Sequence, residues 1–290
     1  MADRTGEGTT VLRTSRRVID LGPADLPRVR RLCARNPTVN AFVEHRAHVT
    51  GLDQRRLGGS VWGYVEQGEL LSACHVGANL VPVEATPQAV AAFGEQAAAL
   101  DRTCSSMVGP ACAVLPLWEL LEASWGPARE VRAEQPFLAV DTVPAIRPDP
   151  AVRRLGIDEL DLLYPASVAM FTEEVGVSPE LEGPSYYRAR VAQLLTRGWC
   201  FARVERDRIV FKAEVGLATS GVCQVQGVYV DPEFRGRGIA APAMAAVVSM
   251  ALASIAPVVT LYVNAGNVAA RAAYARTGFV QTATFSTVLF

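Results

Sequence analysis

"VQGVYVDPEFRGRGIAAPAM", residues 225–244, decides how this chain is read. It opens as a strand, because Val225, Val228, Tyr229 and Val230 are β-branched or aromatic. The strand pattern stops at Asp231-Pro232. A turn of Arg235-Gly236-Arg237-Gly238 follows, and from Gly238 to Ala270 there is no Asp, Glu, Lys or Arg. The order is strand, charged glycine turn, uncharged helix. Glycines let backbone N–H groups point into one concavity, since positive φ costs them little. A helix start adds free N–H groups and the positive end of its dipole. The sum is a seat for a pyrophosphate, with arginines at its rim. It is not the dinucleotide fingerprint, whose third glycine would fall on Ala241. It is not a P-loop, since no Gly-Lys-Ser/Thr follows. Taken alone, the turn also fits a plain bend with solvated arginines.

The uncharged run is long enough to raise the question of a membrane helix. Ala dominates it, Pro242 and Pro257 interrupt it, and it turns β-branched at "VVTLYVN" (258–264). A buried helix followed by a central strand fits better. "MADRTGEGTT" lacks the apolar core of a secretion signal, so a soluble, cytoplasmic protein is expected. The 290 residues, 50% hydrophobic, suffice for two domains. A net charge of −1 gives no footprint for nucleic acid or a membrane surface. The six cysteines are scattered without a CxxC pair, which predicts reduced, mostly buried thiols and no metal site. His45 and His48 read as a solvated or capping pair rather than a zinc site.

The turn has neighbours. The strand before it, the strand "TLYVNAGN" after its helix, and the helix "NVAARAAYARTGF" together resemble the GNAT superfamily of N-acetyltransferases. Arg235, Gly238 and Ala240 meet that family's acetyl-CoA motif. Asn264, Asn267, Ala270, Tyr274, Gly278 and Phe279 fit its following strand and helix. The resemblance is specific over 222–280 and extends plausibly over 151–290. It implies acetyl-CoA as cofactor and an amine acceptor, small molecule or protein, with a homodimer left open. Backbone groups of Val228, Tyr229 and Val230 would pair with the pantetheine arm as an added strand. N–H groups of Arg235, Gly236, Arg237, Gly238, Ile239 and Ala240 would hold the pyrophosphate, with Asn264 and Asn267 also at the cofactor. A backbone N–H would polarise the thioester carbonyl, an amine would attack directly, and Tyr274 would protonate the departing thiolate. The base is less determined. Gln224 and Gln226 stand where many relatives have a carboxylate. Glu214 on the preceding strand is then the nearest candidate, directly or through water at Gln226, with Glu173 and Glu174 near the substrate loops. A non-catalytic acyl-CoA-binding module, or a transferase using another acyl donor, is the alternative.

"TVPAIRPDP" (142–150) reads as a linker. On either side "EQGELLSACHVG" (66–77) aligns without gaps on "ERDRIVFKAEVG" (205–216), and "VIDLGPADL" (18–26) matches "VRRLGIDEL" (152–160). An internal duplication with a period near 140 residues is expected, against chance likeness of two α/β segments. The expected plan is a flexible tail (1–15), a degenerate GNAT-like domain (16–141), the linker, and an acetyl-CoA-binding domain (151–290). The fold class is α/β (α+β), two units each with a mixed, mostly antiparallel twisted sheet flanked by helices. In the first unit the cofactor strand would lie near 77–83, and Glu84, Pro87 and Gln88 replace the arginine-glycine turn. That unit is expected to have lost acetyl-CoA.

Overall fold

The computed structural model describes residues 16–181 and 183–290; the tail expected over 1–15 lies outside them. The first half runs β1 (Arg16–Leu21), α1 (Leu26–Cys33), α2 (Ala41–Thr50), α3 (Gln54–Leu57), β2 (Ser60–Glu66), β3 (Glu69–Val76), β4 (Asn79–Val83), α4 (Pro87–Ala98), β5 (Ser106–Pro110), α5 (Ala111–Trp125) and β6 (Glu130–Val140). The second runs β7 (Val152–Arg154), α6 (Leu160–Val175), α7 (Pro184–Thr196), β8 (Cys200–Glu205), β9 (Arg208–Ala218), β10 (Cys223–Val230), α8 (Ala240–Ser254), β11 (Val259–Tyr262), α9 (Val268–Thr277) and β12 (Val280–Leu289). Apart from the short α3, the two halves repeat the same order. The repeat reaches local detail. Gly22 N–H donates to the Asp25 carboxylate at 3.2 Å ahead of α1, and Gly156 N–H donates to Glu159 at 3.0 Å ahead of α6. The glycines shared by "VIDLG" and "VRRLG" thus make the same turn twice.

All twelve strands form one sheet in the order β1-β2-β3-β4-β5-β12-β6-β11-β10-β9-β8-β7. Only β4–β5 and β10–β11 are parallel. Period-2 alternation sorts the strand residues between two layers of helices. In the second half Phe211, Ala213 and Val215 of β9 join Cys223, Val225 and the buried face of α8. The opposite face carries Cys200, Ala202 and Ile209 against α6 and α7. The first half repeats this with α4 and α5 on one side and α1 and α2 on the other.

The contiguous plan drawn from sequence differs from the sheet at its centre. Strand β6 of the first half pairs with β11 of the second, with Phe137 opposite Tyr262. Strand β12 of the second half pairs with β5 of the first, with Phe285 opposite Pro110. The two exchanged strands also pair with each other, and Phe137 stacks on Phe285 at 4.4 Å. Each half therefore borrows its sixth strand. No local pattern encodes which edge each of these strands finds. The linker, in turn, is held down: Asp149 N–H donates to Pro242 O at 3.0 Å and its carboxylate accepts from Arg203 at 3.0 Å. The histidine pair also differs from expectation. His48 is exposed, but His45 is half-buried and its Nδ1 lies 2.7 Å from Ala218 O, tying α2 of the first half to β9 of the second. No described helix is long and apolar enough to cross a membrane.

Candidate functional site

Strand β10 meets its parallel neighbour β11 only at Cys223–Val259 and Gln224–Thr260. Beyond that the two strands part, and the β11-facing edge of 225–230 is left unpaired. On its other edge β10 pairs with β9, but the register slips between Gln226 and Tyr229. Gly227 and Val228 together face one residue of β9, which is a β-bulge. Gly227 holds φ +58°. A Cβ there would lie 3.0 Å from Met170 Cε and 3.1 Å from Glu214 Cδ, so the backbone favours glycine and the space around it is tight. The bulge turns the strand edge into an opening that an extended chain can enter. Gly227 was missed in the sequence reading. The available signal was an isolated glycine inside a strand pattern.

At the end of β10 the chain makes a short turn, Pro232–Phe234, and reaches the glycine loop. Asp231 caps the turn by accepting from Glu233 N–H at 3.0 Å. Arg208 braces the same carboxylate through Nε and Nη2 at 2.7 and 2.9 Å, and reaches Glu233 at 2.7 Å. Gly236 and Gly238 hold φ +74° and +73°, the alternating handedness that converges N–H groups. Arg235 departs from the expected set: its N–H donates inward to Pro232 O at 3.3 Å. From Gly236 to Ala241 no backbone N–H has an acceptor among the described residues. Pro242 has none to satisfy. Arg235 Nη2 pairs with Glu173 at 2.7 Å and its Nε donates to Val230 O at 2.9 Å, while Arg237 donates to Glu233 O at 2.8 Å. The loop is thus an anion seat made of backbone, with both guanidiniums fastened beside it.

Tyr274 is buried with Val225, and Val228, Val230, Ile239 and Ala270 pack against the same cluster. Helix α9 therefore places it in the core that backs β10 and α8. Its hydroxyl has no hydrogen-bond partner among the described residues. Burial, reinforced by the Glu174 carboxylate, pushes its phenol well above the ordinary tyrosine value. It keeps its proton at neutral pH. Asn264 accepts from Gln135 Nε2 at 2.7 Å. Asn267, by contrast, is an exposed helix cap whose oxygen accepts from Ala270 N–H at 3.1 Å. Capping uses the group that sequence reasoning gave to the cofactor.

Glu214 lies on the other face of the sheet, beneath α6. It is buried, pairs with Lys212 Nζ at 3.0 Å, and accepts from Gln226 Nε2 at 3.2 Å. Lys212, the only lysine of the chain, also donates to the buried Ser167 at 3.2 Å. A buried ion pair of this kind needs every charge compensated, and here the neighbours supply that. Gln226 is exposed and lies across Gly216, where a Cβ would be 2.1 Å from Gln226 Oε1. It forms the solvent-side cover of Glu214. The carboxylates Glu173 and Glu174 are exposed ends of α6, held by Arg235 and by Arg132 of β6, the latter at 2.8 Å. Glu214 and Tyr274 thus stand on opposite faces, with the opening between β10 and β11 separating them.

The corresponding loop of the first half is closed. Thr86 N–H donates to Ser72 Oγ at 3.3 Å, Ala89 N–H donates to Thr86 Oγ1 at 3.2 Å, and Pro87 has no N–H. Glu84, at φ +48°, accepts from Asn40 at 2.8 Å. A carboxylate, a proline and two occupied amides interrupt the row that stays open in the second half.

Residues 171–279 match the acetyltransferase (GNAT) family. Residues 59–163 match a domain of unknown function, DUF4081. No curated protein matches the chain. Among solved structures, an acetyltransferase of the GNAT family from Colwellia psychrerythraea has TM-score 0.58 at 17% identity, covering 94% of this chain and 99% of that one. A GCN5-related N-acetyltransferase from Sphaerobacter thermophilus has TM-score 0.60 at 19% identity, covering 94% of each. A tandem GNAT protein from the clavulanic acid biosynthesis pathway has TM-score 0.53 at 15% identity, covering 95% and 98%. At these identities the solved structures establish the fold: two GNAT-like units in one chain. The match over residues 171–279 supports a transferase whose general chemistry is acyl transfer.

Proposed function

Proceeding from that match, we propose that the chain moves the acetyl group of acetyl-CoA to a primary amine by direct attack. The observation that carries the reading is the row of open amides from Gly236 to Ala241, at a helix start and just beyond the splayed, bulged strand β10. A pyrophosphate fits the first feature and an amide-bearing pantetheine arm fits the second. Acetyl-CoA supplies an activated acyl thioester. The protein supplies orientation and proton handling. The unpaired backbone of the bulge offers N–H donors to the thioester oxygen as charge develops on it. Tyr274, buried and protonated, gives its proton to the sulfur as the C–S bond breaks. Glu214 takes the amine proton as the C–N bond forms, through water at the Gln226 cover. The two groups work from opposite faces, acid on the α8–α9 side and base on the α6–α7 side. The first half binds no acetyl-CoA of its own.

The test is transfer from radiolabelled acetyl-CoA to a panel of amines, run on the parent and on Tyr274→Phe. The parent should label at least one amine. The variant should lose about tenfold or more in kcat with little change in acetyl-CoA affinity, because only a proton donor is removed. Acetyl-CoA binding without transfer to any amine would favour a binding module. Unchanged kcat in the variant, with chemistry rate-limiting, would remove Tyr274 from the reaction.

A further inference from the structure

Strand β6 belongs to the first half, yet it pairs with β11, which borders the second half's opening. Gln135 sits in it at 2% exposure. A buried amide is costly unless both its ends are bonded, and both are. Thr287 Oγ1 of β12 donates to Gln135 Oε1 at 2.6 Å, and Gln135 Nε2 donates to Asn264 Oδ1 at 2.7 Å. The backbone fixes the same register. Val263 N–H donates to Pro136 O at 3.2 Å and Ala265 N–H donates to Glu134 O at 3.1 Å, so Asn264 is clamped opposite Gln135. With its oxygen occupied, Asn264 keeps an amide nitrogen that has no acceptor among the described residues. An apolar side chain would fill the Gln135 position without this polar cost. The polar chain from Thr287 through Gln135 therefore has one remaining output, the orientation of the Asn264 amide.

We propose that Gln135 is a positioning residue for acyl transfer, holding Asn264 so that its N–H₂ donates to an amide carbonyl of the pantetheine arm. The inference rests on the acetyl-CoA reading above. It makes the first half a working part of the second half's cleft.

A four-member cycle tests it: parent, Gln135→Leu, Asn264→Ala and the double variant. Acetyl-CoA affinity is measured by calorimetry, and each protein's melting temperature is recorded. Each single change should weaken binding by roughly tenfold, the scale of one neutral hydrogen bond. The double variant should bind no more weakly than Asn264→Ala, because Gln135 acts through Asn264. Independent losses that multiply to about a hundredfold would overturn the proposal. So would a Gln135→Leu variant that melts earlier but binds as the parent does. Gln135→Glu covers the case in which the leucine variant fails to fold. Its carboxyl donates to Asn264 only when protonated, so its affinity should approach the parent's at low pH and fall as pH rises; a pH-independent affinity would count against the proposal. If Asn264→Ala binds normally, the inference fails and the loop reading stands. If the parent binds no acetyl-CoA, the functional reading itself has failed and the inference falls with it.

Discussion

His75 has a fully buried side-chain nitrogen, Nε2, with no hydrogen-bond partner among the described residues. Its Nδ1 lies 2.9 Å from Asn79 O. A carbonyl only accepts, so Nδ1 carries the proton and Nε2 is a bare lone pair. The Phe42 ring meets it edge-on at 5.4 Å. Burial pushes the imidazole pKa down from 6.5 to about 4. The unfolded chain therefore binds a proton between those values while the folded chain does not. Stability from this site is fully present above pH 6.5 and is lost as pH falls towards 4. The shift corresponds to an order of about 3 kcal/mol. Urea unfolding at neutral and mildly acidic pH should show a smaller acid loss in His75→Phe than in the parent. Equal losses would mean that other groups set the acid limit. The alignment of 66–77 on 205–216 puts His75 at the position of Glu214, so its place was legible. Its neutrality was not, because burial depends on Phe42 and α2, distant in sequence.

At the scale of elements, the second half was read closely. The strand before the glycine turn, the helix after it, the strand within 258–264 and the helix that follows stand where the sequence puts them, because apolar period, glycine turns and the Asp231-Pro232 stop are local signals. What escaped were the braces between elements. Arg208 begins β9 and grips Asp231 and Glu233 at the far end of β10. That grip sets the angle at which the chain leaves the strand and so where the open amides stand. Arg208→Ala should raise the acetyl-CoA KM by about three- to tenfold with a nearly unchanged melting temperature, since partly exposed ion pairs add little stability. Steady-state kinetics and a melting curve check it together. An unchanged KM would mean the glycines hold the loop without the brace. The same limit of local reading applies to Asn267, where a motif position was legible but the cap it serves was not.

Among the described residues the two similar halves differ at their loops, and the continuous row of open amides belongs to the second. Calorimetric titration should therefore give one acetyl-CoA per chain. Gly238→Asp should abolish it, because a carboxylate enters the seat and φ +73° is strained for a side chain. The fold should survive, since a Cβ at Gly238 meets nothing within 4 Å. Two sites in the parent, or one left in the variant, would show that the first half still binds. The repeat was legible from 66–77 against 205–216 and 18–26 against 152–160, and the altered loop from 84–88 against 235–240. The strand exchange was not, because every pattern that marks β6 and β12 as strands is also satisfied by pairing within their own halves.

That exchange has a consequence for biosynthesis. Synthesis proceeds from residue 1 upward, and the strand that joins β5 to β6 is made only at 280–289. Until then the first half carries a bare sheet edge along β5, although its own helices have all been made, and its core still lacks Val288 and Phe290. When β11 appears it can take one side of β6, and the other side stays open. Bare edges of this kind template pairing between chains. Two nascent chains on one messenger present matching vacancies, and a β12 from one can fill the gap in the other. The fold thus makes the interval before residue 289 emerges its most aggregation-exposed moment, and intertwined pairs of chains its natural misassembly.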